Sequence, residues 1–133
     1  MAIDSIIYVY VVKEEVIQPN VSIIEEGAKG DWLFVVLKGK VKVKKRIQKR
    51  LVTIDTLGEG AIVGEIPFLL KTQDKLRTAS VVSEGVVKLG ILDKERLEKE
   101  YELLSPQLKS LIKTLVLRLK ETTKKASLLA AGQ

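Results

Sequence analysis

IIEEGAKGDWLFVVLKG, residues Ile23–Gly39, reads as strand, turn, strand. The aliphatic pair Ile23-Ile24 runs into a turn at Gly27, and Gly30-Asp31 makes a second turn. Leu33–Leu37 is then a short apolar strand, and Gly39 turns the chain again. On turn chemistry alone this is two hairpins, as in any β protein. The flanking sequence keeps the same grammar. Ile6–Val12 is β-branched and aromatic. Val16–Ile24 is interrupted by the turn signal Pro19-Asn20. Val41 and Val43 alternate with Lys40, Lys42 and Lys44, and Leu51–Ile54, Ala79–Val82 and Val86–Leu92 continue the theme. Gly27, Gly30, Gly39, Gly58, Gly60, Gly64 and Gly85 punctuate these runs at the spacing of an antiparallel sandwich or barrel.

The period changes in the last third. Asp93 is placed to cap a short helix over about 93–103. Ser105-Pro106 supplies an N-cap and a proline in the first turn of a longer helix over about 106–122. Leu108, Leu111, Ile112, Leu115, Val116 and Leu119 recur at three and four residues, which makes one apolar stripe. Lys109, Lys113, Lys120 and Lys124 lie across from it, and residues 123–133 read as a frayed tail. The expected organisation is one domain over 1–133: a β-roll over about 6–92, then the two helices.

Composition narrows the chemistry. The chain has 133 residues, 46% of them hydrophobic, which suits one domain with a real core. It contains no histidine and no cysteine. That removes a histidine base, a cysteine nucleophile, a cysteine-ligated zinc and the imidazole sites on which jelly-roll metalloenzymes are built. A binding or regulatory domain is favoured over an enzyme, with no metal or cofactor expected. The absence of cysteine fits the cytoplasm, and no apolar run is long enough for a membrane span. A net charge of +6 favours anionic partners.

A second stretch, VGEIPFLLKTQDKLRTAS (Val63–Ser80), sets one carboxylate, Glu65, and one guanidinium, Arg77, at the ends of an irregular segment. Either they form an ordinary ion pair or they hold something between them. Taken with Ile23–Gly39, the pattern resembles the cyclic-nucleotide-binding domain family. Ile23, Ile24, Gly27, Ala28, Gly30, Leu33, Phe34, Val35, Val36 and Gly39 match its first signature. Val63, Gly64, Glu65, Arg77, Thr78, Ala79 and Val81 match its second, in the family's order. The resemblance spans roughly residues 16–119. It implies a mainly β domain, an antiparallel β-roll or jelly roll with one short and one long C-terminal helix, that binds cAMP or cGMP. Arg77 would hold the phosphate and Glu65 a ribose hydroxyl, with Gly64, Ile66, Thr78 and Ala79 completing the ligand site.

The chemistry of these residue types agrees. Arginine offers a planar fork of donors suited to a phosphodiester, a carboxylate accepts from a hydroxyl, and glycine allows close backbone approach. The sequence departs from the family at Pro67, where a small residue is preferred, at Phe68, and in the longer loop Lys71–Leu76. Proline has no N–H, and a lost hydrogen bond to a charged group is worth about 1.5–3 kcal/mol. In the family a threonine after the arginine can reach the guanine of cGMP, yet other members with threonine there prefer cAMP, so Thr78 is a mild hint and does not discriminate the two.

The basic run Leu37–Arg50 reads as a solvated, lysine-protected strand whose hairpin tip gathers Lys45, Arg46, Lys49 and Arg50. Without interleaved aromatics, nucleic acid is not expected as a partner, nor is a membrane. The helix Ser105–Thr122 either packs on the β-roll or pairs with a second copy, and Leu117, Leu128 and Leu129 add apolar surface. The leading expectation is a non-enzymatic cyclic-nucleotide sensor whose C-terminal helices move on binding. The alternative is a binding-silent module of the same fold that serves dimerisation or protein interaction.

Overall fold

One long strand organises the sheet. The computed structural model describes residues 5–27, 32–64 and 79–131. In it Phe34–Ile47 forms β3, with β1 (Val11–Ile17), β2 (Ser22–Ile24), β4 (Arg50–Leu57), β5 (Ile62–Val63) and β6 (Ser80–Leu92) around it. The order is β1-β6-β3-β4, with β2 added to β6 and β5 to β3, and every pairing is antiparallel. Three helices complete the described chain: α1 (Ser5–Tyr8), α2 (Lys94–Glu102) and α3 (Pro106–Ala131). This matches the expected mainly β-roll with one short and one long C-terminal helix.

Val35 and Val36 explain why β3 is central. Successive side chains on a strand point to opposite faces, yet both are fully buried. Val36 joins Ile24, Val41, Val63, Val81, Val87 and Leu89 in one cluster. Val35 joins Leu33 and Leu92 in a second, on which Ile7, Tyr10, Val11, Ile62 and Leu97 pack. Each buried aliphatic side chain contributes about 1.5–3 kcal/mol, so the two clusters hold the sheet from both sides.

Four expectations need correction. The run Ile6–Val12, read as a strand, begins as α1, and the strand starts only at Val11. Ile7 packs into the second cluster, and its carbonyl accepts the Tyr10 N–H at 3.0 Å, so tertiary packing overrides β propensity. Gly39 does not turn the chain; it sits at a register shift inside β3, with φ +93°. Gly85 likewise lies within β6. The long helix continues to Ala131, through residues read as a frayed tail.

The apolar stripe of α3 also faces differently from the expectation. Val116 is buried and Ile112 half-buried, whereas Leu108, Leu111, Leu115 and Leu119 are 48, 55, 53 and 40% exposed. The helix meets β4 and β3 along one border of its stripe. Lys109, placed by the sequence on the far side, is half-buried and paired with Glu102 at 3.3 Å. The expected caps do form: Asp93 accepts the Arg96 N–H at 3.1 Å and Ser105 Oγ the Leu108 N–H at 3.1 Å.

The β3–β4 hairpin closes through Gln48 and Lys49, both left-handed at φ 49° and 70°. Two consecutive positive φ values are the demand of a type I′ turn, which Asn-Gly meets with less strain. Replacing Gln48-Lys49 by Asn-Gly is expected to stabilise the chain by about 1 kcal/mol, read as a rise of roughly 3 °C in the thermal midpoint.

Candidate functional site

The segment 65–78, which carries Glu65, Ile66, Pro67, Phe68, Arg77 and Thr78, lies outside the described residues; its two anchors do not. The chain reaches it from β5, where buried Val63 pairs opposite Phe34 of β3. The approach is tied down beforehand. Gly60 donates its N–H to the Val36 carbonyl at 2.8 Å, and the Val36 N–H donates to the Ala61 carbonyl at 2.9 Å. Gly64 follows at φ +91° and half-buried, a left-handed conformation that suits glycine. The sequence reading of Gly64 as a special backbone position thus acquires a physical reason.

The chain returns at Ala79, half-buried in a bend, and enters β6 at Ser80 opposite Lys44 of β3. Both ends of the segment are therefore fastened to the same strand. The return point is secured by residues that sequence reasoning passed over. Ser80 Oγ accepts the Glu26 N–H at 2.9 Å. The Glu26 carboxylate accepts from the Arg46 N–H at 2.8 Å and from Lys45 Nζ at 3.1 Å. Glu26 thus joins the end of the first signature, the start of β6 and the β3 strand. Its partners lie 54 and about 20 residues away, so no local spacing could reveal it. Deeper in β6, the nearly fully buried Ser83 donates to the Gln18 carbonyl at 2.6 Å and accepts the Val21 N–H at 2.9 Å. It seats the Pro19-Asn20 turn on the sheet.

The helix that follows β6 is clasped to the N-terminal segment. The Tyr10 hydroxyl donates to the Glu100 carboxylate, which also accepts from Arg96 Nε at 3.1 Å. The Arg96 guanidinium lies 4.8 Å from the centre of the Tyr10 ring, a cation–π distance. The Asp93 N–H donates to the Tyr10 carbonyl at 2.7 Å. At the start of α2, Lys94 Nζ sits 5.7 Å from the centre of the Trp32 ring, and Trp32 is the chain's single tryptophan.

This clasp has a pH signature. The Tyr10 hydroxyl, and less strongly Arg96, hold the Glu100 carboxyl below its usual range. The hydrogen bond to Glu100 raises the Tyr10 phenol above its usual value. A lowered carboxyl stabilises the fold above the ordinary carboxylate value, and this is lost as pH falls through the lower folded value. A raised phenol stabilises below its ordinary value, and this is lost as pH rises through the higher folded one. Trp32 emission is therefore expected to be flat from about pH 5 to about pH 9 and to change beyond both limits. In Tyr10→Phe the acid transition should move to higher pH, because Glu100 no longer has the hydroxyl that holds its carboxyl down.

None of the described helices is long and apolar enough to cross a membrane. Comparison with known proteins fits this frame. The chain is 33% identical over 81 residues to the human cyclic nucleotide-gated channel beta-1, covering 61% of this chain and 6% of the channel. It is 31% identical over 85 residues to the cAMP-dependent protein kinase regulatory subunit of Yarrowia lipolytica, covering 64% of this chain and 21% of that protein. It thus spans only a small part of either relative. Among solved structures, the cAMP-bound form of an EAL enzyme superimposes with a TM-score of 0.77 at 26% identity, covering 87% of this chain and 30% of that one. A cyclic nucleotide-binding domain from Methylobacillus flagellatus superimposes at 0.63 and 26% identity, covering 90% of this chain and 65% of that one. The family model described as the cyclic nucleotide-binding domain matches residues 14–102, from β1 to the end of α2, so the chain belongs to the cyclic nucleotide-binding domain family.

Proposed function

We infer that this domain binds a cyclic nucleotide and serves as a regulatory, non-enzymatic sensor. The observation that carries the reading is the second signature, Gly64-Glu65 and Arg77-Thr78-Ala79, in a chain that belongs to the family. Its segment leaves and re-enters the fold where β5 and β6 pair with one strand, β3. Arg77 takes the phosphate through its planar fork, and Glu65 accepts from a ribose hydroxyl. Gly64, Ile66, Thr78 and Ala79 shape the backbone around them. Related solved structures include one cAMP-bound and one cGMP-bound form of the EAL enzyme, which keeps both bases in view. A ligand of this class and a cysteine-free chain are in keeping with action in the cytoplasm.

The output runs through α3. Its leucine ridge Leu108, Leu111, Leu115 and Leu119 is exposed, and every described side chain beyond Val116 is exposed as well. Helices in proteins draw most of their stability from packing an apolar face, and a row of exposed leucines favours an apolar partner. The reading is a second copy of the same helix. Calorimetric titration with cAMP and with cGMP, followed by light scattering with and without ligand, tests both parts. Heat from at least one nucleotide supports the sensor. No heat from either at millimolar ligand rejects it and leaves the binding-silent module, and a monomer at every concentration rejects the paired helix.

A further inference from the structure

The positive charge of this chain is concentrated in one place. Residues 38–57 hold six lysines and two arginines against one aspartate, a net +7, where the whole chain carries +6. Everything outside the β3–β4 hairpin is close to neutral. Along β3, Val41 is buried in the first cluster, and Lys45, four residues on and on the same face, reaches inward to Glu26. Lys40, Lys42, Lys44 and Arg46 alternate with them and stand on the other face of the sheet. This row spans about 20 Å at the rise of a strand.

The neighbours of the row contain little acid. On β4 it faces Thr56, Thr53 and Leu51; on β6 it faces Glu84, Val82 and Ser80. Glu84 pairs with Lys42 at 3.5 Å. The hairpin end is exposed at Gln48, Lys49 and Arg50, and Leu51, beside Arg46, is 49% exposed. The row is lysine-rich, and no aromatic residue stands between 38 and 57. Stacking of single-stranded bases has no platform there, and the Lys42–Lys44 part of the row lies between β4 and β6, a three-stranded face broader than the helix or two-stranded ribbon that a major groove admits. Compact ammonium charges spread along a sheet face, with an apolar side chain at the rim, match an extended, diffuse anionic surface.

We propose that the outer face of the β3–β4 hairpin, built on Lys40, Lys44, Arg46 and Lys49 with Leu51 at its edge, docks the domain on an anionic lipid bilayer. Peripheral attraction of this kind needs several lysines or arginines near the surface and no lipid-specific pocket. It does not rest on the nucleotide reading, because attraction to a bilayer needs neither Glu65 nor Arg77, so failure of either reading leaves the other standing.

The test is vesicle co-sedimentation of the full chain. Phosphatidylcholine vesicles are compared with vesicles containing phosphatidylserine at about 100 mM salt, where charges are screened over roughly 10 Å. Binding is expected only with phosphatidylserine and should fall as salt rises. Lys40→Glu/Lys44→Glu/Arg46→Glu should weaken it at least about a hundredfold. Lys113→Glu/Lys120→Glu/Lys124→Glu on α3 makes the same change in net charge and should keep it. Milder Lys→Gln and Arg→Gln versions, with thermal midpoints checked, separate docking from folding. No sedimentation with phosphatidylserine, or equal loss in both triple variants, overturns the proposal. So does tighter binding to a labelled DNA duplex at equal phosphate concentration, which would make the face a nucleic-acid surface.

Discussion

Arg77→Ala is expected to abolish cyclic-nucleotide binding while the fold survives. A charge-assisted hydrogen bond is worth about 1.5–3 kcal/mol, and a bidentate fork makes two. Losing both weakens binding by at least about two orders of magnitude, beyond the range of calorimetry for a millimolar-to-micromolar ligand. Arg77→Lys keeps the charge and loses the fork, and should recover only part of the affinity. Lys42→Ala is the matched control, because Lys42 is engaged with Glu84 on the outer face of the sheet and should leave binding unchanged. Pro67→Ala restores a backbone N–H; tighter binding in this variant would mean that proline removes a phosphate donor. Binding by Arg77→Ala equal to the parent chain would rule out Arg77 as the phosphate reader.

Gly39→Ala is expected to be among the most damaging single methyl additions to this chain. Gly39 has φ +93°, and a Cβ there would lie 2.7 Å from the Val86 carbonyl oxygen and 3.2 Å from Val87 Cα. Both are backbone atoms of the paired strand β6, so neither can rotate away. The left-handed backbone costs about 1–2 kcal/mol for a residue with a Cβ, and displacing the register shift between β3 and β6 adds to it. A loss of roughly 3 kcal/mol or more is expected, a fall of about 10 °C in the thermal midpoint. Gly58→Ala is the control: nothing lies within 4 Å of its added Cβ and its φ is not positive, so its effect should stay within about 0.5 kcal/mol. Equal midpoints for the two variants would refute this account of the bulge.

Both predictions rest on glycine-bearing signatures, which the sequence and the structure explain to different depths. Gly39 is legible as a required glycine, but the sequence reads it as a turn. Its role as a bulge in an unbroken strand needs Val86 and Val87, 47 and more residues away. The roles proposed for Glu65 and Arg77, acceptor and anion fork, rest on residue type and order, which the sequence carries by itself. Glu26 and Ser80 are not legible, because a carboxylate holding a distant lysine and a backbone N–H leaves no periodic mark. The clasp of Tyr10, Arg96 and Glu100 escapes for the same reason.

Local physical chemistry determined most of the architecture. Alternation of valine and lysine specified β3, the Ser105-Pro106 start specified α3, and the absence of histidine and cysteine set aside most enzyme chemistry. These depend on neighbours within a few residues, where sequence and conformation are tied directly. Tertiary structure decided what depends on distant partners. It made Ile6–Tyr8 helical against its propensity, because Ile7 and Tyr10 have a core to enter. It joined two apparent strands through Gly39 by pairing them with β6. It also turned Ile112 and Val116 of α3 toward the sheet and left the leucine ridge outside. A helix's apolar stripe states how much surface it has to bury, and only the shape of the sheet beneath it decides which part is covered.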